Sequence, residues 1–301
     1  MDYILGIDIG GTRLRLGLVN KDYKLSKFEE QSAQVLFDTD DPVLVLSEVI
    51  CDYLSRQQAK VQAVAIGFPS SIDKTQTVIL STPNIPSLQG IPIVSLLSKL
   101  IGTPIYINRD VNYLMYHDIA CLKLSQTGVQ LGFYFGTGIG NAIFINGEPL
   151  KGKTGVTAEL GHIPVIGCDR YCGCGNIGCL ENHVSGWRLQ QLRERYFSDC
   201  PIADVFSQHK AHQVLKEFVE NMAIAIALEA SLLDPEYIIL GGGIIQMNDF
   251  PKTYLEKRIT SRTRQPLPAN SLQFIYATDG QANGVIGAGI SGFEQLKNIS
   301  R

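Results

Sequence analysis

Leu5-Gly6-Ile7-Asp8-Ile9-Gly10-Gly11-Thr12 and Leu131-Gly132-Phe133-Tyr134-Phe135-Gly136-Thr137-Gly138 are the two stretches from which the fold can be read. Each is a mostly apolar run that ends in a turn rich in glycine and threonine. Each is followed by a second apolar run, Leu14 to Val19 in the first case and Ala142 to Ile145 in the second. Strand, tight turn and strand make a hairpin signature. The copies are offset by 126 residues (131 − 5), too far apart for a solenoid, whose units recur every ~20–50 residues. Two related units, each opening with a glycine-turn hairpin, account for the pattern.

The residues between the hairpins add helices to the sheet. Leu46, Val49, Ile50, Tyr53 and Leu54 recur at helical spacing, Val61 to Gly67 reads as a buried strand, and Ile105 to Asn108 as another. In the second half Val214, Leu215, Phe218, Val219, Met222 and Ile226 form the apolar stripe of a long helix that ends before Asp234-Pro235. Tyr237 to Leu240 is then a strand running into Gly241-Gly242-Gly243, with helical sequence expected after the glycines. Strands alternating with helices define an α/β protein.

Composition narrows the function. With 45% hydrophobic and 18% charged residues the 301-residue chain is an ordinary globular sequence long enough for two cores. Lys+Arg 26 against Asp+Glu 29 leaves a net charge of −3, without the basic surplus that nucleic acid requires. The N-terminal residues carry no basic leader and no apolar run reaches spanning length, since Ala223 to Leu233 is interrupted by Glu229. The expectation is a cytoplasmic protein that acts on small molecules, with neither nucleic acid nor membrane as partner.

Asp8-Ile9-Gly10-Gly11-Thr12 puts a carboxylate at the end of a strand and then a turn whose missing side chains let backbone N–H groups approach anionic oxygens. Such a concavity holds phosphate, and the acid can hold Mg²⁺. Gly136-Thr137-Gly138-Ile139-Gly140 offers a second cradle. Neither is a P-loop, because no Lys follows the glycines, and neither is a dinucleotide fingerprint, because both lead into strands. Gly241, Gly242 and Gly243 could let an adenosine lie against the backbone. Asp110, in Asn108-Arg109-Asp110-Val111-Asn112, stands between a strand and a helix. There it can accept a proton from an attacking hydroxyl or simply cap the helix.

Four of the seven cysteines, Cys168, Cys172, Cys174 and Cys179, fall within twelve residues, beside Glu159-Leu160-Gly161-His162. His162, Cys172, Cys174 and Cys179 supply a complete tetrahedral zinc shell, with glycines for the tight turns. A closed shell is structural, so its role would be to orient Glu159, Glu181 and the second nitrogen of His162 toward the hydroxyls of a bound ligand. Cys168 lies close enough to compete as a ligand and is read as a spectator.

With these residues in hand the chain resembles the ROK family of repressors, uncharacterised reading frames and kinases. Asp8 to Thr12, Gly67-Phe68-Pro69, Ser81-Thr82-Pro83-Asn84, Asp110-Val111-Asn112, Gly136 to Gly140, Glu159 to Glu181 and Gly241 to Gly243 stand in family order, end to end. The resemblance implies two actin-like, ribonuclease H-like α/β lobes, usually in a homodimer. Residues 1–115 with 286–301 would form one lobe and 116–285 the other, which carries the zinc knuckle. It further implies that Asp110 is the general base for a sugar 6-hydroxyl and that Asn84, Arg109, Glu159, His162 and Glu181 bind the sugar. Asp8, Gly10, Gly11, Thr12, Gly136, Thr137, Gly138, Gly140, Gly241, Gly242 and Gly243 would hold ATP and Mg²⁺.

Two positions depart from the family's glucose and N-acetylmannosamine kinases, which usually carry Asn where this chain has Arg109 and Gly where it has Ser70. The Arg-Asp-Val-Asn and Ser-Thr-Pro-Asn-Ile-Pro forms are most similar to those of D-allose kinases. The rival class is a sugar-sensing repressor, which would need a helix-turn-helix domain ahead of the first hairpin. A third reading is a zinc-stabilised binding module with Asp110 and the phosphate loops idle.

Overall fold

The computed structural model describes residues 3–82 and 85–299. The chain divides into two compact units, Met1–Leu124 with Lys151–Thr157 and Gly280–Arg301, and Ser125–Leu150 with Ala158–Asp279. In chain order the first unit runs β1 (Tyr3–Ile9), β2 (Arg13–Asn20), β3 (Leu25–Ser32), α1 (Ala33–Phe37), α2 (Pro42–Arg56), β4 (Ala63–Phe68), β5 (Ser71–Ile72), β6 (Ile79–Ser81), α3 (Ile93–Ile101), β7 (Ile105–Arg109) and α4 (Asp110–Cys121). The second runs β8 (Val129–Phe135), β9 (Ile139–Ile145), β10 (Glu148–Pro149), α5 (Glu181–Val184), α6 (Gly186–Tyr196), α7 (Val205–His209), α8 (Gln213–Leu233), β11 (Tyr237–Gly241), α9 (Lys252–Arg262) and β12 (Phe274–Tyr276). The last helix, α10 (Asn283–Ile299), returns to the first unit.

The duplication holds at the level of sheets. One five-stranded sheet is ordered β3-β2-β1-β4-β7 and the other β10-β9-β8-β11-β12. In both, the first three strands in sequence are antiparallel neighbours and the last two join in parallel. The first two strands of each sheet begin 126 residues apart, 129 − 3 and 139 − 13. Four residues of the hairpin β1 (Ile4, Leu5, Ile7, Ile9) are fully buried, because this central strand has helices or loops over both faces. The edge strand β3, Leu-Ser-Lys-Phe-Glu-Glu-Gln-Ser, has no buried residue and gives no apolar alternation to read.

α2 begins where Asp41 Oδ1 accepts the Leu44 N–H at 3.0 Å, and it buries Leu46, Ile50 and Tyr53 in the core of the first unit. Burying three such side chains is worth ~1.5–3 kcal/mol each. α10 lies so close to its neighbours that side chains would not fit. A Cβ on Gly6 would fall 2.1 Å from the Val285 carbonyl oxygen, and one on Gly287 only 1.8 Å from that of Tyr113 in α4. A division at residue 115, expected from motif order, would cut α4 in half. The units instead change over at Leu124, after the helix has ended, and at Gly280, ahead of α10. Residues 151–157, expected with the second unit, pack on the first. Lys151 Nζ donates to Gln76 Oε1 at 3.0 Å, and a Cβ on Gly155 would meet the Asp73 backbone at 2.4 Å.

The long helix α8 spans the stripe read from sequence and stops at Asp234, whose φ of 47° is left-handed. The interruption at Glu229 points inward. Its carboxyl is buried, it accepts a hydrogen bond from Asn141 Nδ2 at 3.0 Å, and burial pushes it up to about 7. No helix among the described residues is long and apolar enough to cross a membrane. Because the folded-state value of Glu229 lies above the ordinary 4.5, folded protein keeps a proton that unfolded protein releases. Stability is then lost as pH rises from about 4.5 to 7, by roughly 3 kcal/mol in all. Glu229→Gln should therefore match the natural chain in thermal unfolding near pH 5 and exceed it at pH 8. Parallel melting curves at both pH values would show that the carboxyl is not buried as a neutral acid.

Candidate functional site

Parallel pairing lines up the ends of three strands. Asp8 of β1 is opposite Gly67 of β4, and Gly67 is opposite Asn108 of β7. This is the carboxyl edge of a parallel set, where α/β sheets bind ligands. β7 runs directly into α4, with Arg109 at the helix cap and Asp110 as the first helical residue. Asn108, buried, accepts the Arg109 N–H at 2.9 Å and the Asn112 Nδ2 at 2.8 Å through one oxygen, which braces the junction. Asp110 Oδ1 accepts the Val111 N–H at 2.8 Å. The bond fixes the rotamer of a half-buried carboxylate, and it is not the bond to the second or third residue on that a capping side chain makes. A Cβ on Gly67 would lie 3.4 Å from the Asp110 Cα and 3.0 Å from the Tyr113 ring, so glycine there makes room for α4.

Asp8 is held in a confined place. Its side chain is 16% exposed, Arg15 Nη1 stands 3.6 Å from Oδ2, and a Cβ on Gly284 would fall 2.6 Å from its Cγ. Burial raises its pKa, with Arg15 opposing. A carboxylate in that position gains from a nearby positive charge. In the following turn the Gly10 N–H donates to Arg13 O at 2.8 Å, and Gly11 and Thr12 are exposed.

Arg109 Nη1 donates to the Thr157 carbonyl at 2.6 Å. Thr157 closes the segment that packs on the first unit, and the next residue, Ala158, sits at a left-handed φ of 57°. An L-residue in that region costs on the order of 1 kcal/mol, and the strain falls immediately before Glu159. Asn84 lies outside the described residues. Ser70 Oγ and Thr82 Oγ1 are buried without a hydrogen-bond partner among the described residues.

In the second unit Glu159 and His162 belong to one tight turn, with His162 N–H on the Glu159 carbonyl at 2.9 Å. His162 Nε2 is 3.8 Å from Glu159 Oε2, while its other nitrogen, Nδ1, is 3.7 Å from Cys172 Sγ. The ligand atoms of His162, Cys172, Cys174 and Cys179 all lie within 4.8 Å of one another, and Cys174 and Cys179 sulfurs are 3.6 Å apart. A tetrahedral ion with metal–sulfur bonds of about 2.3 Å requires sulfurs about 3.8 Å apart, so the four residues fit one. Burial and the thiols of Cys174 and Cys172 push the Cys179 thiol up to about 12; a dication would supply the charge that makes these groups thiolates. Cys168 stands outside the cluster, with its sulfur 3.0 Å from His183 Nε2.

Glu181, the first residue of α5, reaches back to the second glycine turn. Its Oε2 accepts the Ile139 N–H at 3.3 Å and occupies the space a Cβ on Gly138 would need, at 2.5 Å. Gly186 and Trp187, at the start of α6, donate their N–H groups to the Gly136 and Thr137 carbonyls at 2.8 and 3.1 Å. Gly140 pairs with Tyr134 in the hairpin. Gly241 ends β11. Gly242, at φ 89°, presses on the Phe135 backbone, where a Cβ would come within 2.5 Å, and Gly243 faces open space. Helical sequence was expected directly after these glycines, but a string of turns follows and α9 starts only at Lys252. The reason is that Ile244 N–H is taken by the Phe135 carbonyl at 3.0 Å, which ties the segment to the end of β8.

Two copies of one mixed sheet, the second with a His-Cys₃ knuckle, make the two-unit α/β fold found in sugar kinases. The chain belongs to the ROK family, which it matches over residues 4–291. An N-acetyl-D-glucosamine kinase of Pectobacterium carotovorum is 30% identical over 95% of this chain and 97% of its own length. A ROK glucokinase of Streptomyces griseus, solved with glucose and AMPPNP, superposes with a TM-score of 0.78 at 23% identity, over 95% of this chain and 98% of the other. A ROK transcriptional regulator, a homologue of the E. coli MLC protein, reaches 0.82 at 21% identity, over 99% of this chain and 81% of its own. The fold alone therefore does not separate kinase from regulator.

Metal analysis of the purified chain should find one tetrahedrally held ion per molecule, and Cys172→Ser should lose it along with more than about 5 °C of Tm. A metal content below about one-tenth per chain with an unchanged Tm on chelation would contradict the knuckle.

Proposed function

We propose that the chain is an ATP-dependent hexose 6-kinase in which Asp110 is the general base. The observation that carries this is the carboxylate fixed at the β7–α4 junction, on the same carboxyl edge of the sheet as Asp8. A binding module would have no use for an acid so placed. The sugar O6 attacks the terminal phosphorus of ATP and gives its proton to Asp110, while the bond to the bridging oxygen breaks and ADP leaves. Mg²⁺, held near Asp8, would neutralise the charge of the phosphates. The turns at Gly10 to Thr12 and Gly136 to Gly140 donate backbone N–H groups to phosphate oxygens, and Gly243 offers the open backbone beside adenosine. Glu159, Glu181 and Asn84 accept hydrogen bonds from sugar hydroxyls, and His162 donates one through Nε2–H. Zinc in the knuckle would take Nδ1 of His162, which leaves Nε2–H to face Glu159 and fixes both.

The sugar is D-allose in this reading. Arg109 supplies a charged donor next to the base, and its hold on the Thr157 carbonyl keeps it ordered there; allose differs from glucose only at the 3-hydroxyl. An N-acetylhexosamine is the second reading, favoured by relatives at 27–30% identity named as N-acetyl-D-glucosamine kinases. The chain acts in the cytoplasm as a homodimer, which the exposed apolar row Ile224, Leu228 and Leu232 on α8 supports, since the three share one helical face.

An ADP-release assay over allose, glucose, mannose, N-acetylglucosamine and N-acetylmannosamine decides the substrate. Allose should give a kcat/KM at least about tenfold above the others. A preference for glucose or an N-acetylhexosamine would remove allose and leave the kinase standing, and no turnover on any of them would remove both.

A further inference from the structure

Outside the residues given a role above, the second unit carries a cavity of about 390 Å³ lined by Arg170, Tyr171, Asn182, Trp187, Arg188 and Gln191. Its two cations are not neutralised. Arg188 Nη1 meets only Gln191 Oε1, at 3.3 Å, and neither guanidinium has a carboxylate partner among the described residues. Arg188 is held below its ordinary pKa by burial and then by the charge of Arg170, and the same two arginines add to burial in depressing His183. Two guanidiniums facing one cavity without an acid form a receptor for a dianion, and arginine's fork suits phosphate.

The aromatic wall is as unusual as the charge. Tyr171 is 82% and Trp187 57% exposed, which large aromatic surfaces rarely are without something to cover them. The loop that brings Arg170 and Tyr171 is fastened down, since Asn182 Nδ2 donates to the Tyr171 carbonyl at 3.1 Å and Gly178 N–H to that of Arg170 at 2.7 Å. The first N–H groups of α6 are already spent on the Gly136 and Thr137 carbonyls. The cavity's charge therefore comes from side chains, and whatever settles on Trp187 rests on a residue whose own N–H is bonded to Thr137 of the second glycine turn.

We propose that this cavity is a second ligand site, for a small phosphate monoester whose body stacks on the indole of Trp187 while Arg170 and Arg188 hold its phosphate. The body is a sugar or a nucleoside. Trp187 both lines the cavity and donates its N–H to Thr137, so the ligand acts on the glycine turn through the first residues of α6.

Trp187 is the only tryptophan of the chain, so its fluorescence reports this cavity directly. Titration of the whole protein with hexose 6-phosphate and with AMP should quench or shift the emission with a saturable curve for at least one of them, and the tighter one identifies the body. Inorganic phosphate should bind at least about tenfold more weakly and unphosphorylated hexose should not reproduce the signal. Arg170→Ala with Arg188→Ala should weaken the response at least about tenfold while the unliganded kcat and hexose KM stay within about twofold; Arg170→Lys with Arg188→Lys should restore part of it. A response that survives the double alanine change, equal affinity for inorganic phosphate, or no response to either ester would each overturn the site.

Discussion

The Tyr113 carbonyl of α4 lies where a side chain on Gly287 of α10 would be, and that contact, with the one between Gly6 and Val285, holds the first unit in register. α10 is the last helix of the chain, yet it closes over the first strands and against α4, so the position of Asp110 depends on residues 170 and more positions downstream. In each contact the one glycine, Gly6 or Gly287, lets the backbones approach to a separation that a side chain would forbid. The candidate base is thus set from three sides: by strand β7, by the Asn108–Asn112 brace and by the helix laid over α4.

The two units use one sheet for different ends. In the first, the edge beyond β1, β4 and β7 presents acids, Asp8 and Asp110. In the second, the same hairpin leads into a long excursion that folds around His162 and three cysteines and returns as α5 and α6, both bonded to the glycine turn. Glu181 is the hinge of that arrangement, because one oxygen meets the turn and the residue before the helix, Leu180, follows directly on Cys179. A metal that fixes the knuckle therefore also fixes Glu159 and Glu181.

Most of this was legible in residue order. The offset of 126 residues foretold the repeated sheet, and the spacing of His162, Cys172, Cys174 and Cys179 foretold four ligand atoms in one place. What could not be read has physical reasons. β3 is an edge strand with no buried residue and carries no apolar period. Residues 151–157 pack on the first unit through Lys151, Gly155 and the Thr157 carbonyl, and backbone acceptors leave no trace in sequence. The turns after Gly243 follow from a tertiary hydrogen bond to Phe135, which overrides local helical preference. The strain at Ala158 is equally silent, since alanine normally avoids that conformation.

A regulator of the same family shares this fold, so the chemistry rests on Asp110 and is tested there. Asp110→Asn keeps the size of the side chain and an oxygen for the Val111 N–H, but cannot take a proton at neutral pH. With hexose binding measured separately by calorimetry, kcat should fall by about 10²–10⁴-fold while the sugar Kd stays close to that of the natural chain. A variant that phosphorylates hexose within about threefold of the natural rate would show that the proton leaves by another route and that the β7–α4 junction is not the catalytic centre.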